Sequence, residues 1–172
     1  MVIRLEHDWF PEPLPDNVEL GSRSWLYSSF AFRHYRSQKP CGLHVGHDSG
    51  LYHGTFFDLG PAGEVEIGNF CTLVGAIFAT NGKVLIGDYS FVAHEVVIAD
   101  SFTALAGPTN RDSAIIIGEN VWIGARAVIL SGAKIGEGAI IGAAAVVDFE
   151  VPAYAIVAGN PAHIKGMIKK GN

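Results

Sequence analysis

A repeat of six residues runs through most of this chain and constrains its fold more than any other feature. Aliphatic residues recur every six positions, most clearly at Ile117, Ile123, Ile129, Ile135, Ile141 and Val147. A helix repeats every 3.6 residues and a strand every two, so a period of six fits neither alone. It fits a short strand followed by a tight corner, three times per coil. The repeat therefore predicts an all-β solenoid, a parallel β-helix of about six coils.

Interruptions of the repeat fall at one place in the coil, after its third aliphatic position. The extra residues lie in the segments 33–44, 58–66 and 99–116, and one further residue follows Ala79, which the repeat places in the interior. Insertions at one corner of a solenoid map to one face, which is often the binding face. We expect the three segments to form the walls of one binding site, with 99–116 as a protruding loop.

The regions outside the repeat predict a cap at each end of a single domain. Residues 1–19 contain the run Pro11-Glu12-Pro13-Leu14-Pro15, which favours an extended arm covering the first coil. The β-helix then occupies residues 20–157. Residues 158–172 are expected to form a loop followed by a short helix or tail.

Composition excludes several classes of protein. With 17 acidic and 12 basic residues, the net charge of −5 argues against nucleic-acid binding and against a polybasic membrane surface. The 49% of hydrophobic residues excludes intrinsic disorder. No apolar run reaches the roughly 18 residues of a membrane helix, and two cysteines are too few for a disulfide scaffold. We therefore expect a cytoplasmic protein that self-associates through outward apolar residues such as Trp25 and Phe91.

Four motifs in the second half of the chain are typical of one family. They are Ile86–Ile98, which begins with Ile86-Gly87-Asp88, then Ile117–Gly124, Ile141–Ala143 and Val157–Ala162. With them the chain resembles the hexapeptide-repeat acyltransferases, specifically the branch of sugar and xenobiotic O-acetyltransferases. The resemblance covers residues 86–165 closely and 20–85 through the repeat. It implies a left-handed β-helix and a homotrimer in which acetyl-CoA and a small-molecule acceptor meet between two subunits.

The resemblance also implies residues for the acetyl-CoA donor. Side chains at family positions along the pantetheine groove, and in the last motif and the tail, are Trp122, Ala125, Ala143, Ala144, Asn160, His163 and Lys165. Lys169 and Lys170 are further candidates for the CoA phosphates, although a basic tail is often simply solvated. The chain departs from the family at Asp148-Phe149-Glu150, where the family has Thr-Lys-Asp, and at His163, where it has Lys.

A histidine is the expected general base, because its pKa lies near the working pH of most enzymes. In the family the catalytic histidine follows the third hexad, near Thr103, but residues 99–116 contain no histidine. We expect His94 to be the base, since its coil carries the long insertion. Asp100 and Glu95 are close enough in sequence to orient it.

His53 and Asn81 complete the predicted site. His53 lies two coils from His94, about 10 Å along the stack, and is expected to contact the acceptor or to act as the base itself. Asn81 and Glu95 are candidates for acceptor binding, and Asp100 shares the inserted corner with Asn81. Hydrogen bonds within that corner are the structural alternative for Asn81 and Asp100.

Two other functions stay open on the same fold. A γ-type carbonic anhydrase would use His94 as its central ligand, but Thr80 and Ala99 stand at the flanking ligand positions. Zinc catalysis needs three protein ligands, so we expect no metal at this site apart from one bridged by His53 and His94 between subunits. A trimeric binding scaffold, or an enzyme with a donor other than CoA, is the second alternative.

Overall fold

The chain winds through three parallel β-sheets in the computed structural model, which describes residues 4–10, 12–100 and 114–168. Successive coils pass through the sheets in the same order, and the first coil has a 3-10 helix, Ser29–Phe32, in place of its third strand. The architecture matches a left-handed β-helix of about six coils. The predicted all-β solenoid is therefore confirmed.

Strands one coil apart in sequence are neighbours in each sheet. The first sheet contains β1 (Val18–Leu20), β3 (Leu43–Val45), β6 (Glu64–Ile67), β9 (Lys83–Ile86), β12 (Ile115–Ile117), β15 (Lys134–Ile135) and β18 (Glu150–Val151). The second contains β2 (Trp25–Leu26), β4 (Gly50–Tyr52), β7 (Thr72–Val74), β10 (Phe91–Val92), β13 (Trp122–Ile123), β16 (Ile140–Ile141), β19 (Ala155–Ala158) and β20 (His163–Met167). The third contains β5 (Phe56–Leu59), β8 (Ile77–Thr80), β11 (Val97–Ala99), β14 (Val128–Leu130) and β17 (Val146–Val147).

The aliphatic residues of the repeat fill the interior of the solenoid. Ile117, Ile123 and Ile129 are each at most 1% exposed. The parallel register pairs Ile117 with Ile86 of the preceding coil and Ile135 of the next. Each coil thus removes the apolar surface of its neighbours from water, which is the main favourable contribution to folding.

Glycine after the aliphatic residue is required by the close approach of successive coils. A Cβ atom on Gly46 would lie 2.6 Å from the backbone carbonyl carbon of Gly68, the equivalent glycine one coil further on. Real Cβ atoms do not approach backbone so closely, so the aliphatic-Gly pair builds a corner that larger residues cannot form.

One interior position differs from the six-residue grid. Phe78 is fully buried, whereas Ala79 is partly exposed, so the expectation that Ala79 fills the interior is wrong. The strand register pairs Phe78 with Phe57. Leu73 precedes Phe78 by five residues, while Leu51 precedes Phe57 by six. The corner before β8 is therefore one residue shorter than the fixed spacing assumes.

The inserted segments connect the third side of the coil to the first sheet. Residues 33–44 lead from the 3-10 helix to β3, and residues 58–66 span the turn between β5 and β6. The third insertion joins β11 to β12, and its residues 101–113 lie outside the described part of the chain. The protruding loop over 99–116 remains a prediction.

The last described residues form a strand instead of the expected short helix or tail. β20 runs antiparallel to β19 and covers the far edge of the second sheet. This pairing satisfies backbone groups that an open sheet end would expose. Residues 169–172, including Lys169 and Lys170, lie outside the described part of the chain.

The N-terminal segment lies against the first coil. His7 Nε2 is 2.9 Å from the Leu26 carbonyl oxygen, and the imidazole stacks on the Trp25 ring at 4.0 Å. Leu14 is buried with the core. The 3-10 helix is a single short turn, so no helix among the described residues is long and apolar enough to cross a membrane.

Candidate active site

One corner of the solenoid collects half of the predicted site residues. This corner, between the second and third sheets, is called the histidine edge. From the first coils towards the last it carries His53-Gly54, Gly75, His94-Glu95, Ala125-Arg126 and Ala143-Ala144. Backbone hydrogen bonds join its levels, such as Arg126 N to His94 O at 2.9 Å and Ala144 N to Ala125 O at 2.9 Å. The fold therefore aligns the two candidate bases with the predicted donor groove.

One coil separates the two histidines along the edge, and its corner residue, Gly75, is buried between the levels above and below it. The His53 and His94 side chains are both exposed, and Gly75 occupies the coil between them with a φ of +68°. Glycine adopts this conformation without strain and carries no side chain. Two coil spacings separate the imidazoles, which is about 10 Å.

Glu95 is next to His94 but binds a different partner. Its Oε2 accepts a hydrogen bond of 2.7 Å from Arg126 Nε in the following coil. This hydrogen bond and the charge of Arg126 lower the pKa of the Glu95 carboxyl below its usual value. The carboxylate thus joins the next level of the edge, and the expectation that Glu95 orients His94 stays a prediction.

Asp100 and Asn81 lie on another corner, between the third and first sheets. Asp100 Oδ2 accepts hydrogen bonds from Thr80 Oγ1 at 2.9 Å and from the Asn81 backbone N–H at 2.6 Å. Asn81 Oδ1 in turn accepts from the Ala62 backbone N–H at 2.9 Å. Within one chain Asp100 thus stabilises the inserted corner, which corrects the expectation that it orients His94.

A large apolar cavity adjoins His53 on the histidine edge. Its volume is about 520 Å³, and it extends across the first coils, with Ile77 of the third coil at one side. Aromatic side chains dominate the wall, and they are Trp9, Tyr27, Phe30, Tyr52 and Phe56. The Tyr27 and His53 rings meet edge to face at 5.0 Å. Of these residues only Phe30 and Phe56 carry a sequence signal, their position outside the interior grid, and it predicts no more than a surface for self-association.

Asp8 holds the N-terminal segment, which forms one wall of this cavity, against the first coil. Its carboxylate accepts hydrogen bonds from Ser28 Oγ at 2.7 Å, from Ser29 N and Oγ at 2.6 Å each, and from Phe10 N at 3.0 Å. Burial alone would raise the pKa of Asp8, but these bonds outweigh it and lower the pKa to about 2. The Trp9 ring is thereby placed 5.6 Å from the Phe30 ring.

The predicted donor residues continue the edge towards the C-terminal end. Ala143 and Ala144 are exposed and small, and Asn160 lies in the turn between β19 and β20. His163 and Lys165 are exposed on β20. Trp122 lies on the outer face of the second sheet, 56% exposed, with its ring 4.8 Å from that of Phe91. Among the described residues, this part of the chain thus presents small side chains on the edge and the exposed Lys165 on β20, and their role in binding a CoA molecule stays a prediction.

One cluster among the described residues has the composition of a metal site, but it does not lie on the histidine edge. The ligand atoms of Glu19, Cys41 and His44 are all within 4.8 Å of one another on the first sheet. The flanking positions expected for a γ-type carbonic anhydrase hold a buried Thr80, bonded to Asp100, and a buried Ala99. Neither can join His94 in a three-histidine zinc site.

Comparison with known proteins supports the family resemblance. A family described as bacterial transferase hexapeptide (six repeats) matches residues 114–148. Chloramphenicol acetyltransferase from Escherichia coli is 37% identical over 131 residues, which cover 66% of this chain and 60% of that protein. The 2,3,4,5-tetrahydropyridine-2,6-dicarboxylate N-acetyltransferase of Staphylococcus aureus strain JH9 is 52% identical over 62 residues, covering 35% and 26% of the two chains. The chain thus spans about 60% of the length of the first curated relatives that it matches.

Solved structures share the fold. A hexapeptide transferase family protein from Anaplasma phagocytophilum superposes with a TM-score of 0.65 at 16% identity, over 89% of this chain and 80% of that one. A hexapeptide-repeat acetyltransferase from Vibrio cholerae, solved with acetyl coenzyme A, gives 0.60 at 24% identity, over 74% and 72%. At these identities the likeness shows the β-helix alone.

Proposed function

The chain belongs to the hexapeptide-repeat transferase family, and from that premise we propose that it is an acyltransferase. It would move an acetyl or similar short acyl group from acyl-CoA to a hydroxyl or amino group of a small acceptor. The observation that carries the proposal is the histidine edge, which places His94 in line with Ala125, Ala143 and Ala144, the residues predicted to line the donor groove. A base and a narrow donor groove on one edge are what acyl transfer needs.

The donor half of the site rests on small side chains and exposed backbone. Ala143 and Ala144 keep the groove narrow enough for an extended pantetheine chain, and Lys165 on β20 supplies positive charge for a phosphate. The relatives are named as acetyltransferases, and the Vibrio cholerae neighbour holds acetyl coenzyme A. These names support acetyl-CoA as the co-substrate of this chain.

The reaction assigns one role to His94. Its neutral imidazole accepts the proton of the acceptor hydroxyl while the acceptor oxygen attacks the thioester carbonyl carbon. The new C–O bond forms as the C–S bond breaks, and the CoA thiolate leaves. The imidazolium then returns the proton to the thiolate, so the products are the ester and free CoA, with no change of oxidation state. His53 contacts the acceptor on the far side of Gly75.

A second copy of the chain would complete the site. The inserted corner with Asn81 and Asp100 and the histidine edge are different corners of one solenoid. They can face one substrate only if the corner of one copy meets the edge of another, as in the proposed homotrimer. Exposed aromatic residues on the second sheet give such an assembly apolar surface to bury, and they include Trp25, Tyr52 and Trp122.

Turnover measurements on His94→Ala test the proposal. The purified chain is incubated with acetyl-CoA and a panel of alcohols and amines that includes chloramphenicol, and release of free thiol is followed. We expect kcat of His94→Ala to fall at least about a hundredfold. His47→Ala removes a half-buried imidazole from the corner between the first and second sheets and serves as the matched control. Equal turnover of His94→Ala and wild type would show that His94 is not the general base.

A trimeric binding scaffold, or an enzyme using a donor other than CoA, is the second candidate function. Phe149 packs against the core at the position where the related family has Lys, and the flanking Asp148 and Glu150 are exposed carboxylates. This end of the groove therefore lacks one cation and carries negative charge, which disfavours CoA phosphates. Calorimetry with millimolar acetyl-CoA separates the two functions, because the scaffold predicts no heat of binding.

A further inference from the structure

Three side chains near the start of the solenoid bring a carboxylate, a thiol and an imidazole together. The ligand atoms of Glu19, Cys41 and His44 all lie within 4.8 Å of one another. Glu19 on β1 and His44 on β3 are directly opposite each other in the parallel register, and both are exposed. Leu43 and Val45 on either side of His44 are buried, so the alternation of the strand places His44 on the outer face of the first sheet. The proposed acyl transfer uses none of these three residues.

The spacing of the imidazole and the carboxylate matches that of two ligands of a tetrahedral metal ion. His44 Nδ1 lies 3.4 Å from Glu19 Oε2, which is longer than the roughly 2.7–2.9 Å of a charge-assisted hydrogen bond. Nitrogen and oxygen ligands at about 2.0–2.2 Å from a tetrahedral zinc ion lie about 3.4 Å apart. Cys41 Sγ is within 4.8 Å of both atoms, so a small movement of its side chain brings it to the same ion.

Hydrogen bonds hold Cys41 in place although it lies in an inserted segment. The Asn17 side-chain Nδ2 donates to the Ser37 carbonyl at 3.1 Å and to the Lys39 carbonyl at 2.9 Å. The Asn17 carbonyl accepts a hydrogen bond of 2.9 Å from the N–H of Gly42, the residue after Cys41. The segment is thus fixed beside β1, and ligands that are already ordered lose less conformational entropy when they bind an ion.

The charges around Cys41 favour a cation. Burial raises the pKa of the Cys41 thiol, and the negative charges of Glu19, Glu64 and Glu66 raise it further. Lys83 Nζ lies 2.8 Å from Glu64 Oε1 and 2.7 Å from Glu66 Oε1, so these two carboxylates have a cation already. Among the described residues, Glu19 is therefore the carboxylate that remains for an ion beside the thiol and the imidazole.

On this geometry we propose that Glu19, Cys41 and His44 bind one zinc ion, which ties the inserted segment 33–44 to the first and second coils. Zinc accepts thiolate, imidazole and carboxylate ligands together, whereas magnesium and calcium prefer oxygen ligands alone. The Cys41 thiol loses its proton to solvent when it binds the ion, and no electron is transferred. Three protein ligands leave the fourth position of the ion for water. The proposal is independent of acyl transfer, because the three residues lie away from the histidine edge.

Zinc titration of the full chain, after dialysis against a chelator, tests the proposal. Competition with a chromophoric chelator gives the stoichiometry and the dissociation constant, and we expect one zinc ion per chain. Cys41→Ser and His44→Ala should each weaken binding at least about tenfold, since loss of even an outer-shell partner of a metal ligand costs about 10–100-fold. His47→Ala is the matched control, because its imidazole is bonded to Asp48 at 2.7 Å and lies outside the cluster. No zinc binding by wild type, or equal affinities of wild type and Cys41→Ser, would overturn the proposal.

Cobalt in place of zinc identifies the thiol ligand, because a thiolate bound to cobalt gives a strong charge-transfer absorption in the near ultraviolet. We expect this absorption in wild type and not in Cys41→Ser, which keeps Cys71 as its only thiol. Cobalt binding to wild type without the absorption would mean adventitious contact with surface groups only, and would overturn the proposal. Zinc should also raise the melting temperature of wild type by several degrees and leave that of Cys41→Ser unchanged. Without zinc the two proteins should melt within a degree or two of each other, which shows that the variant is folded.

Discussion

The ring of Phe57 stacks on the ring of Phe78 in the next coil, with centroids 4.9 Å apart and 11° between the planes. Phe32 of the first coil stacks on the other face of Phe57, at 5.4 Å and 8°. The three rings form a column inside the third side of the solenoid, directly behind the cavity beside His53. Elsewhere that side is filled by aliphatic residues such as Ile98 and Ile129.

Phe57→Ala should remove a large part of the stability of the first coils. Phe57 is fully buried, and truncation of a buried phenylalanine costs about 3–5 kcal/mol in the free energy of unfolding. Denaturation with guanidinium, followed by circular dichroism, measures the loss. Phe70→Ala is the control, because that ring is 44% exposed on the outer surface. Similar losses in both variants would contradict the idea that the column stabilises the fold.

A single methyl group on the histidine edge is expected to destabilise the coil stack. In Gly124→Ala the new Cβ would lie 2.6 Å from the Ala143 backbone nitrogen, so two coils must move apart. Gly166→Ala places a methyl group where nothing lies within 4 Å, and it serves as the matched control. The melting temperature of Gly124→Ala should drop by several degrees, while that of Gly166→Ala should stay within a degree or two. A larger drop in melting temperature for Gly166→Ala than for Gly124→Ala would show that the corners tolerate an extra methyl group.

The six-residue repeat made the solenoid predictable because spacing alone dictates which side chains face inward. Ile117 and Ile123 lie where a fixed period places them, and the insertions in 33–44 and 58–66 leave the same corner. The prediction failed at Phe78, where a corner shortened by one residue moves the interior position. A fixed spacing of six residues cannot reveal that one corner is a residue shorter, because Phe78 and Ala79 are both apolar and either could face the interior.

The candidate site was only partly predictable, because its parts depend on contacts between distant segments. The repeat placed His53 and His94 on one edge, since both follow the second aliphatic position of their coils. It could not show that Asp8 bonds to Ser29, 21 residues further on, and so builds a cavity wall. Antiparallel pairing of β20 with β19 was hidden for the same reason, because it requires a chain reversal.

Tyr35→Phe should leave stability unchanged or raise it. Burial raises the pKa of the Tyr35 hydroxyl to about 12, and although the Ser37 side chain is near enough to oppose this shift, the hydroxyl makes no hydrogen bond of regular geometry among the described residues. Its ring packs edge to face on Phe32 at 5.4 Å. A buried, unpaired hydroxyl costs free energy that the phenylalanine does not incur, and the ring contact is preserved. Thermal unfolding of the two proteins measures the difference. A lower melting temperature for the variant would indicate that a water molecule or a partner chain satisfies the hydroxyl.

Docking of the N-terminal segment should depend on pH through Asp8. The pKa of this carboxyl is about 2 in the folded protein, below its ordinary value of 3.8, because the bonds from Ser29, Phe10 and Ser28 outweigh the effect of burial. A lowered pKa means that the folded state favours the ionised form. Its stabilisation is therefore complete well above pH 4 and is lost as the pH falls from about 4 towards 2.

Melting temperatures of wild type and Asp8→Asn across this range measure the effect. At neutral pH the variant should melt lower, because the amide cannot accept all the bonds that the carboxylate accepts from Ser28 and Ser29. The gap between the two proteins should shrink towards zero as the pH approaches 2. Asp16→Asn removes an exposed carboxylate of the same segment and should show no such convergence. A gap that stays constant with pH would mean that the ionised carboxylate of Asp8 does not hold the segment against the first coil.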